Sequence, residues 1–526
     1  MSDGLDQGMT VTEIASMDQP IDVFPHTTTA FIGRALRGPL NTPIHLQNFA
    51  EFRRRFGGVW RLSSLGPAVQ QFFEHGGKQL YVVRVANNAR GAMICLPADH
   101  GVLTLHALEP GATESIRAAV DYDRIDAEDT DSFNLTIQRV APISGLVIDQ
   151  EIYRRLSCRA EDRRFIADVL LDSTLVQVHL PPPPGRPMAT IGPGTNQTSE
   201  YVGHAQRGDD GAELTDYDLI GSATANTGLF ALNELEQFDL LYLPPPGKEH
   251  DLGPAVVLAA ELYCRKRGAM LLLDPPTEWR SVTDALIGVR NAGYSSANIA
   301  SYFPRMISRD DEDPLPRAVG GALAGLLSKL DEQQGPWHDL DQPGFGFSRK
   351  LTPAIQFTME EGAMLVREGL NAIAGQTAGR AAFCGSVTLG CGSQMDKKFA
   401  SLTVRRLCLT VTNTIDRATR WAIFEADASR AAERIQAQVH AYMTWLADQG
   451  AFAVETYSVQ CDATLQQGLV DPQRGMTILL TFHPLGCDQS VSLALHQSAA
   501  GCRVATTAFA PVAAQAPQGQ DVFFIP

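Results

Sequence analysis

Among the nine cysteines of the 526-residue chain there is no CxxC and no Cys/His spacing that would hold a metal. Cys95, Cys158, Cys264, Cys384, Cys391, Cys408, Cys461, Cys487 and Cys502 are scattered, and Cys264 and Cys408 lie inside apolar segments. That usage speaks against a disulfide framework and reads as buried thiols of a reducing cytoplasm. Long apolar runs are missing too. Stretches such as Ala269–Leu273 are far too short to span a bilayer, and the opening Met-Ser-Asp-Gly-Leu-Asp lacks the basic and apolar regions of a signal peptide. No basic stretch compensates the net charge of −16, which argues against broad binding to nucleic-acid phosphates. HExxH, GxSxG and Walker motifs do not occur, and the twelve histidines do not cluster. The acidic run Asp310-Asp311-Glu312-Asp313 lacks the spacing and glycine of an EF-hand and reads as a solvated loop. No catalytic, cofactor-binding or metal-ligating residue is therefore assigned.

What is present describes a soluble globular chain of about three domains, 44% apolar and 19% charged. Residues 1–28 read as an arm: Met9 and Val11 alternate with Thr10 and Thr12 ahead of Glu13 and Ile14, a weak strand ended by Pro20 and Pro25. Next come a strand at Phe31–Ala35, a helix at Asn48–Phe56 stopped by Gly57-Gly58, a helix at Leu65–Phe73 and a buried strand at Gln79–Val85. Residues 89–203 change character. Phe133–Val140 alternates with period two, Arg164–Leu171 looks helical, Leu175–Leu180 looks extended, and Pro181–Pro184 forms a stiff hinge, so this part reads as an inserted α+β module. An α/β pattern resumes from Gly208, with a strand at Phe238–Leu243, a helix at Ala255–Arg267 and a strand at Ala269–Leu273.

The segment after residue 400 carries the most information. Leu407–Thr412 is apolar and β-branched, the length of one buried strand. A long helix follows, on which Ile435, Val439, Tyr442, Met443 and Leu446 share one face. Arg430, Glu433, Arg434, Ala437, His440, Ala441 and Thr444 lie mostly on the other, and Gly450 ends it. Ile478–Phe482 is a strand, and Val491, Leu493 and Leu495 alternate with polar or small neighbours.

These residues resemble the contractile-tail sheath family of phage tails, tailocins and injection systems. The family pattern V-R-R-L, W-x-x-F-E-P-N, helix, G-A-L, V-x-C-D is met by Val404-Arg405-Arg406-Leu407, Trp421 with Phe424-Glu425, Gly450-Ala451 and Val459-Gln460-Cys461-Asp462, with Ala426-Asp427 in place of Pro-Asn and Phe452 in place of Leu. Phe31-Ile32-Gly33, Gly57-Gly58, Gly76-Gly77, Tyr81–Val85, Thr227-Gly228-Leu229 and Leu273-Asp274-Pro275-Pro276 fit it as well. Gly369–Ile373 stands where the family has an L-N-x-I helix, while Cys384–Leu389 lacks the usual Trp and Arg. The resemblance implies an α/β and α+β multidomain chain, with its discontinuous inner core domain (380–500) completed by N- and C-terminal arms. An α/β middle domain would come from 29–88 plus 204–379, the outer module from 89–203, and a C-terminal extension from 501–526.

The implied function is mechanical, with hexameric rings of this chain stacked helically round an inner tube protein, between a baseplate and a terminator or cap, without nucleic acid or membrane insertion. Assembly would occur in the bacterial cytoplasm and the particle could act outside the cell. Two further expectations follow. The polar helix face from Arg430 to Thr444 should meet the tube. Met9, Val11, Glu13, Ile14, Val491, Leu493 and Leu495 should lie in arms that add as strands to neighbours' sheets, built on Leu407–Thr412 and Ile478–Phe482. The alternative is a soluble α/β enzyme with a nucleotide-like ligand.

Overall fold

In the computed structural model the described residues are 21, 27–190, 201–247, 250–309, 315–377, 380–392, 397–425, 428–454, 456–461, 475–498, 501–506 and 523–525. Strand β1 (Thr29–Gly33) is followed by β2 (Ile44–Leu46), α1 (Phe49–Phe56), α2 (Leu65–Glu74) and β3 (Leu80–Arg84). The start of α1 is set by Asn48, whose side chain accepts from Glu51 N at 2.9 Å, and its end by Gly57 at φ 91°. Phe52 and Phe56 bury one face, with ring centroids 5.4 Å apart.

The module that follows is almost all β. Its sheets are β4 (Gly91–Ala98), β5 (Gly101–Pro110) and β9 (Val176–Val178), and β6 (Ile116–Asp121), β7 (Ser132–Val140) and β8 (Val147–Ser157). Helix α3 (Ile166–Val169) runs directly into a 3-10 turn at Leu170–Asp172, the helical segment expected at Arg164–Leu171. Alternate residues of β6 and β7, including Ile116, Ala118, Phe133, Leu135 and Ile137, build a hydrophobic core of the module's own.

The chain returns through α4 (Asp216–Ile220), a 3-10 turn at Gly228–Glu234, β10 (Leu240–Tyr242), α5 (Pro254–Arg267), β11 (Met270–Leu273), α6 (Val282–Ala292) and β12 (Ile299–Phe303). A small hairpin, β13 (Met306–Ser308) with β14 (Leu351–Pro353), brackets α7 (Gly320–Gln333); α8 (Met359–Arg367), β15 (Leu370–Thr377) and β16 (Arg380–Cys384) complete this part. Together they form one eight-stranded sheet in the order β16-β15-β12-β11-β10-β1-β3-β2, parallel except at its two edges. Parallel sheets need cover on both faces, and the side chains alternate accordingly. Phe31, Leu240, Tyr242, Met270, Leu272 and Ala300 point toward α2 and α7, while Ala30, Ile32, Leu241, Leu271 and Ile299 point toward α5, α6 and α8.

Two expectations are corrected here. Gly369–Ile373 is not a helix: after Gly369 ends α8, Leu370 begins a strand parallel to β12. Buried Asn371 holds it in place, donating to Ser301 O at 3.1 Å and accepting from Val387 N at 2.7 Å. Leu407–Thr412 is not a strand either. It lies inside α9 (Leu402–Thr419), which Ser401 caps by accepting from Val404 N. A short apolar run has no periodicity to separate a buried strand from a buried helix. The hydroxyls of Thr412 and Thr419 turn back to carbonyls four residues earlier, which lets these residues sit in a helix.

After α10 (Ala428–Asp448) a five-stranded antiparallel sheet is built from β17 (Ser458–Gln460), β18 (Gly475–Phe482), β19 (Val491–Ser498), β20 (Gly501–Thr506) and β21 (Phe523–Ile525), in that order. The last two strands, at 501–506 and 523–525, lie in a stretch that the sequence leaves without a role. Side chains of β18 and β19 share one hydrophobic core with α2, α7, α9, α10 and one face of the large sheet. No helix among the described residues is long and apolar enough to cross a membrane.

Candidate functional site

Helix α9 runs past the amino ends of the parallel strands, and three polar contacts fix it there. Arg405 donates to Asn298 Oδ1 at 2.8 Å just before β12, and its guanidinium lies 4.8 Å from the centre of the Phe399 ring. Arg406 pairs with Asp331 on α7, whose same oxygen accepts from the Thr27 hydroxyl. Asn413 donates to Gly268 O at 2.9 Å, ahead of β11. The two arginines of V-R-R-L therefore reach different places, Arg405 the residue before β12 and Arg406 the Asp331 carboxylate on α7 that also takes the Thr27 hydroxyl ahead of β1. Burial holds the Asp331 carboxyl above the ordinary carboxylate range, against the opposing pull of Arg406 and Thr27. A cleft of about 700 Å³ opens beside this clamp, with Thr27, Asp331, Trp337, Arg406, Tyr442 and Trp445 in its walls.

Helix α10 has the two faces its sequence predicts. Ala431, Ala432, Ile435, Val439, Tyr442, Met443 and Leu446 are buried. The dryness of that side pushes the Tyr442 hydroxyl up to about 12. Arg430, Glu433, Ala437, His440, Ala441 and Thr444 are exposed, and Trp445 borders them. Arg434 departs from the expectation. It is half-buried, with its guanidinium 4.2 Å from the centre of the Trp421 ring and 3.7 Å from Glu425, because that ring offers a cation a better place than open water. The W-x-x-F-E motif thereby anchors the helix rather than the exposed face. Thr444 Oγ1 lies 2.6 Å from the Tyr457 hydroxyl, which ties the far end of the exposed stripe to the loop before β17.

The expected strand-donating arms are placed unequally. Met9, Val11, Glu13 and Ile14 lie outside the described residues. Val491, Leu493 and Leu495 fall in β19, with Val491 opposite Phe482 on β18 and Leu495 opposite both Ile478 on β18 and Val504 on β20. Both edges of that strand are taken within its own chain, so it is a central strand here instead of a donated one. Val459-Gln460, from the V-x-C-D motif, forms the edge strand β17, and among the described residues no further strand lies beyond it.

Strand order in the large sheet reverses between β1 and β10, the place where an open α/β sheet binds ligands beyond its strands' carboxyl ends. Here Arg34 occupies that position, donating to Asp210 O at 3.0 Å and Gly211 O at 2.7 Å beneath the Trp60 ring. Among the described residues no group of three or more His, Cys, Asp or Glu side chains could hold a metal ion. Sequence reasoning missed Asp331, Asn298 and Thr27, which lie far in sequence from the arginines they serve and carry no motif.

No protein-family model and no curated protein matches the chain. Solved structures do. A sheath tail protein from Listeria innocua aligns with TM-score 0.61 at 14% identity, over 91% of this chain and 96% of that one. A sheath tail protein from Desulfitobacterium hafniense aligns with TM-score 0.53 at 14% identity, over 93% and 99%. The contracted sheath of the extracellular contractile injection system PVC aligns with TM-score 0.52 at 13% identity, over 93% and 96%. The chain has the fold of contractile tail sheath proteins.

Proposed function

We propose that this chain is the structural subunit of a contractile sheath. Copies polymerise as helically stacked rings round an inner tube, and contraction toward a baseplate drives that tube through a target envelope. The observation that carries this reading is the extent of the likeness, which spans nine-tenths of this chain and nearly all of each sheath protein. Negative-stain microscopy of the purified protein tests it: hollow cylinders or stacked rings are expected, and discrete particles at every concentration would overturn it.

The exposed stripe of α10 is the tube-facing surface in this reading, because its opposite face is consumed by the core. Arg430→Glu should weaken cohesion between sheath and tube. The loss should be larger in dilute salt, where screening reaches ~30 Å, than at physiological strength, where it reaches ~8 Å. Co-sedimentation of sheath with tubes in both salts measures this, and equal recovery of variant and parent would remove the stripe from the interface. Arg434 is not a test of the surface, since its loss would strip Trp421 of its partner.

The β module at 89–203 is dispensable for polymerisation in this reading. Arg90 N donates to Asp209 O at 3.0 Å, and Asp209 N returns to Arg90 O at 2.8 Å, so a splice joining these residues through a short glycine turn keeps the ladder at its base. The spliced protein should form thinner cylinders. It should also be less stable by about 1–3 kcal/mol, because buried Arg84 loses the Pro110 carbonyl. Folded monomers that never assemble would show the module to be a lattice element.

A further inference from the structure

The proline run Pro181–Pro184 suggests that the outer module swings on a hinge, yet its connection to the body is built otherwise. Two chain segments cross at the junction, Asn87–Met93 outward and Gln206–Ala212 back. They are laddered to each other: besides the Arg90–Asp209 pair, Met93 N donates to Gln206 O at 2.9 Å and Ala212 N to Asn87 O at 2.9 Å. Gly211 has φ 74°, and a Cβ there would sit 2.1 Å from Asn87 O, so the two segments are in close contact.

Two arginines of the α/β sheet then clasp this ladder and the module above it. Arg84, at the end of β3, is 1% exposed. Its guanidinium donates to Ala35 O at 3.0 Å and Gly38 O at 2.6 Å in the body, and to Pro110 O at 2.7 Å in the module. Arg34, at the end of β1, donates to Asp210 O and Gly211 O on the returning segment. Asp210 in turn accepts from Ala112 N at 2.7 Å. Glu109 accepts from Gly38 N at 3.2 Å and pairs with Arg139 of β7 at 3.4 Å, while Arg139 Nε meets Glu114 at 2.7 Å. Body, returning segment and both sheets of the module thus share one hydrogen-bonded network with buried members. A swing about the neck would separate charged groups from their partners in a poorly hydrated place, which is costly.

We infer that Arg84 and Arg34 form a rigid neck. The outer module does not swing; it follows the α/β body as a single piece and holds the exposed β7–β8 turn, where Ile143 is fully exposed and Leu146 is 70% exposed, at a fixed position. The inference concerns the isolated subunit and does not rest on the sheath reading.

Spin labels on unnatural residues introduced at exposed Ile143 and Arg54 of the full-length protein test it through their distance distribution. A single narrow distance is expected. A broad or bimodal distribution in the unaltered neck would overturn the rigid arrangement whatever any variant does. Hydrogen exchange assigns the cause. In Arg84→Met the neck amides of Arg90, Met93, Asp209 and Ala212 should exchange roughly tenfold faster or more, with the strands β6 and β7 unchanged. Arg34→Met is the second variant, should the first not fold. Unchanged neck exchange in a folded variant would show that its arginine does not hold the neck.

Discussion

Removal of residues 1–18 is expected to abolish cylinder formation while leaving the subunit folded with its normal melting midpoint. The two halves of that result have separate physical origins. Folding should be spared because the contacts described between this region and the body lie after the cut. Ile21 is 8% exposed within the main hydrophobic core, and the Thr27 hydroxyl sits in the Asp331–Arg406 clamp. Assembly is lost because Met9–Ile14 is too short and too polar to persist unless it joins a sheet. Among the described residues the small sheet has two edges, β17 and β21, and the proposed docking edge runs along Ser458–Gln460 in β17, which pairs inward with Leu479–Thr481 of β18. A strand donated by a neighbouring copy would tie subunits by backbone hydrogen bonds. Microscopy and a thermal melt on the same preparation decide the matter. Cylinders from the truncated protein would exclude the arm as a lattice link, and a lowered melting midpoint would make it a part of its own subunit's core.

The revision of Val491–Leu495 from donated strand to central strand changes how that lattice is pictured. With β18, β19, β20 and β21 successive within one chain, the small sheet is nearly complete before any neighbour arrives. In the proposed lattice each subunit would receive one strand rather than two, at the edge of β17.

Much of the α/β body was legible because its signals are local. Capping residues, paired glycines and runs such as Leu80–Arg84 state their own conformation, and each was found within a few residues of its place. The amphipathic face of α10 was legible for the same reason: a period of 3.6 over 21 residues has no competing explanation. Leu407–Thr412 and Gly369–Ile373 fail in opposite directions, one strand for helix and one helix for strand, because neither a six-residue apolar run nor a match to a family motif reports the distant partners that decide the conformation. In both, the outcome depends on partners distant in sequence. The large sheet takes Leu370 as the neighbour of Ser301, and the pocket between sheets and helices needs an 18-residue rod whose buried polar groups meet Asn298, Gly268 and Asp331. Arg434 was misplaced for a subtler reason, since periodicity assigns a direction to Cα–Cβ and not to a guanidinium at the end of a long stem.

The pair of Arg406 and Asp331 carries the largest stability effect expected of any single side chain here. Their side chains are 5% and 7% exposed, so each charge is largely cut off from water although both border the neighbouring cleft. Arg406→Met leaves the Asp331 carboxylate buried with only the Thr27 hydroxyl for a partner. The loss should be about 3–5 kcal/mol, the cost of an uncompensated buried charge. Adding Asp331→Leu to the same protein should restore most of it, since two apolar residues of similar volume often replace a buried ion pair without loss. The effect of pH separates this cause from simple loss of packing. Burial already raises the folded-state pKa of Asp331 above its ordinary value, and removal of Arg406 raises it further. A carboxyl with a raised folded pKa penalises the folded state above that pKa, and the penalty fades as pH falls through it, because the proton is then held more tightly by the folded chain. The single variant should therefore melt furthest below the parent at pH 8 and approach it as the pH is lowered toward 5, while the double variant, which has no carboxyl at this position, should lie near the parent at pH 8 and show no such recovery on acidification. A deficit in the single variant that is the same at both pH values would assign the loss to packing and leave the charge of Asp331 without a role in the clamp.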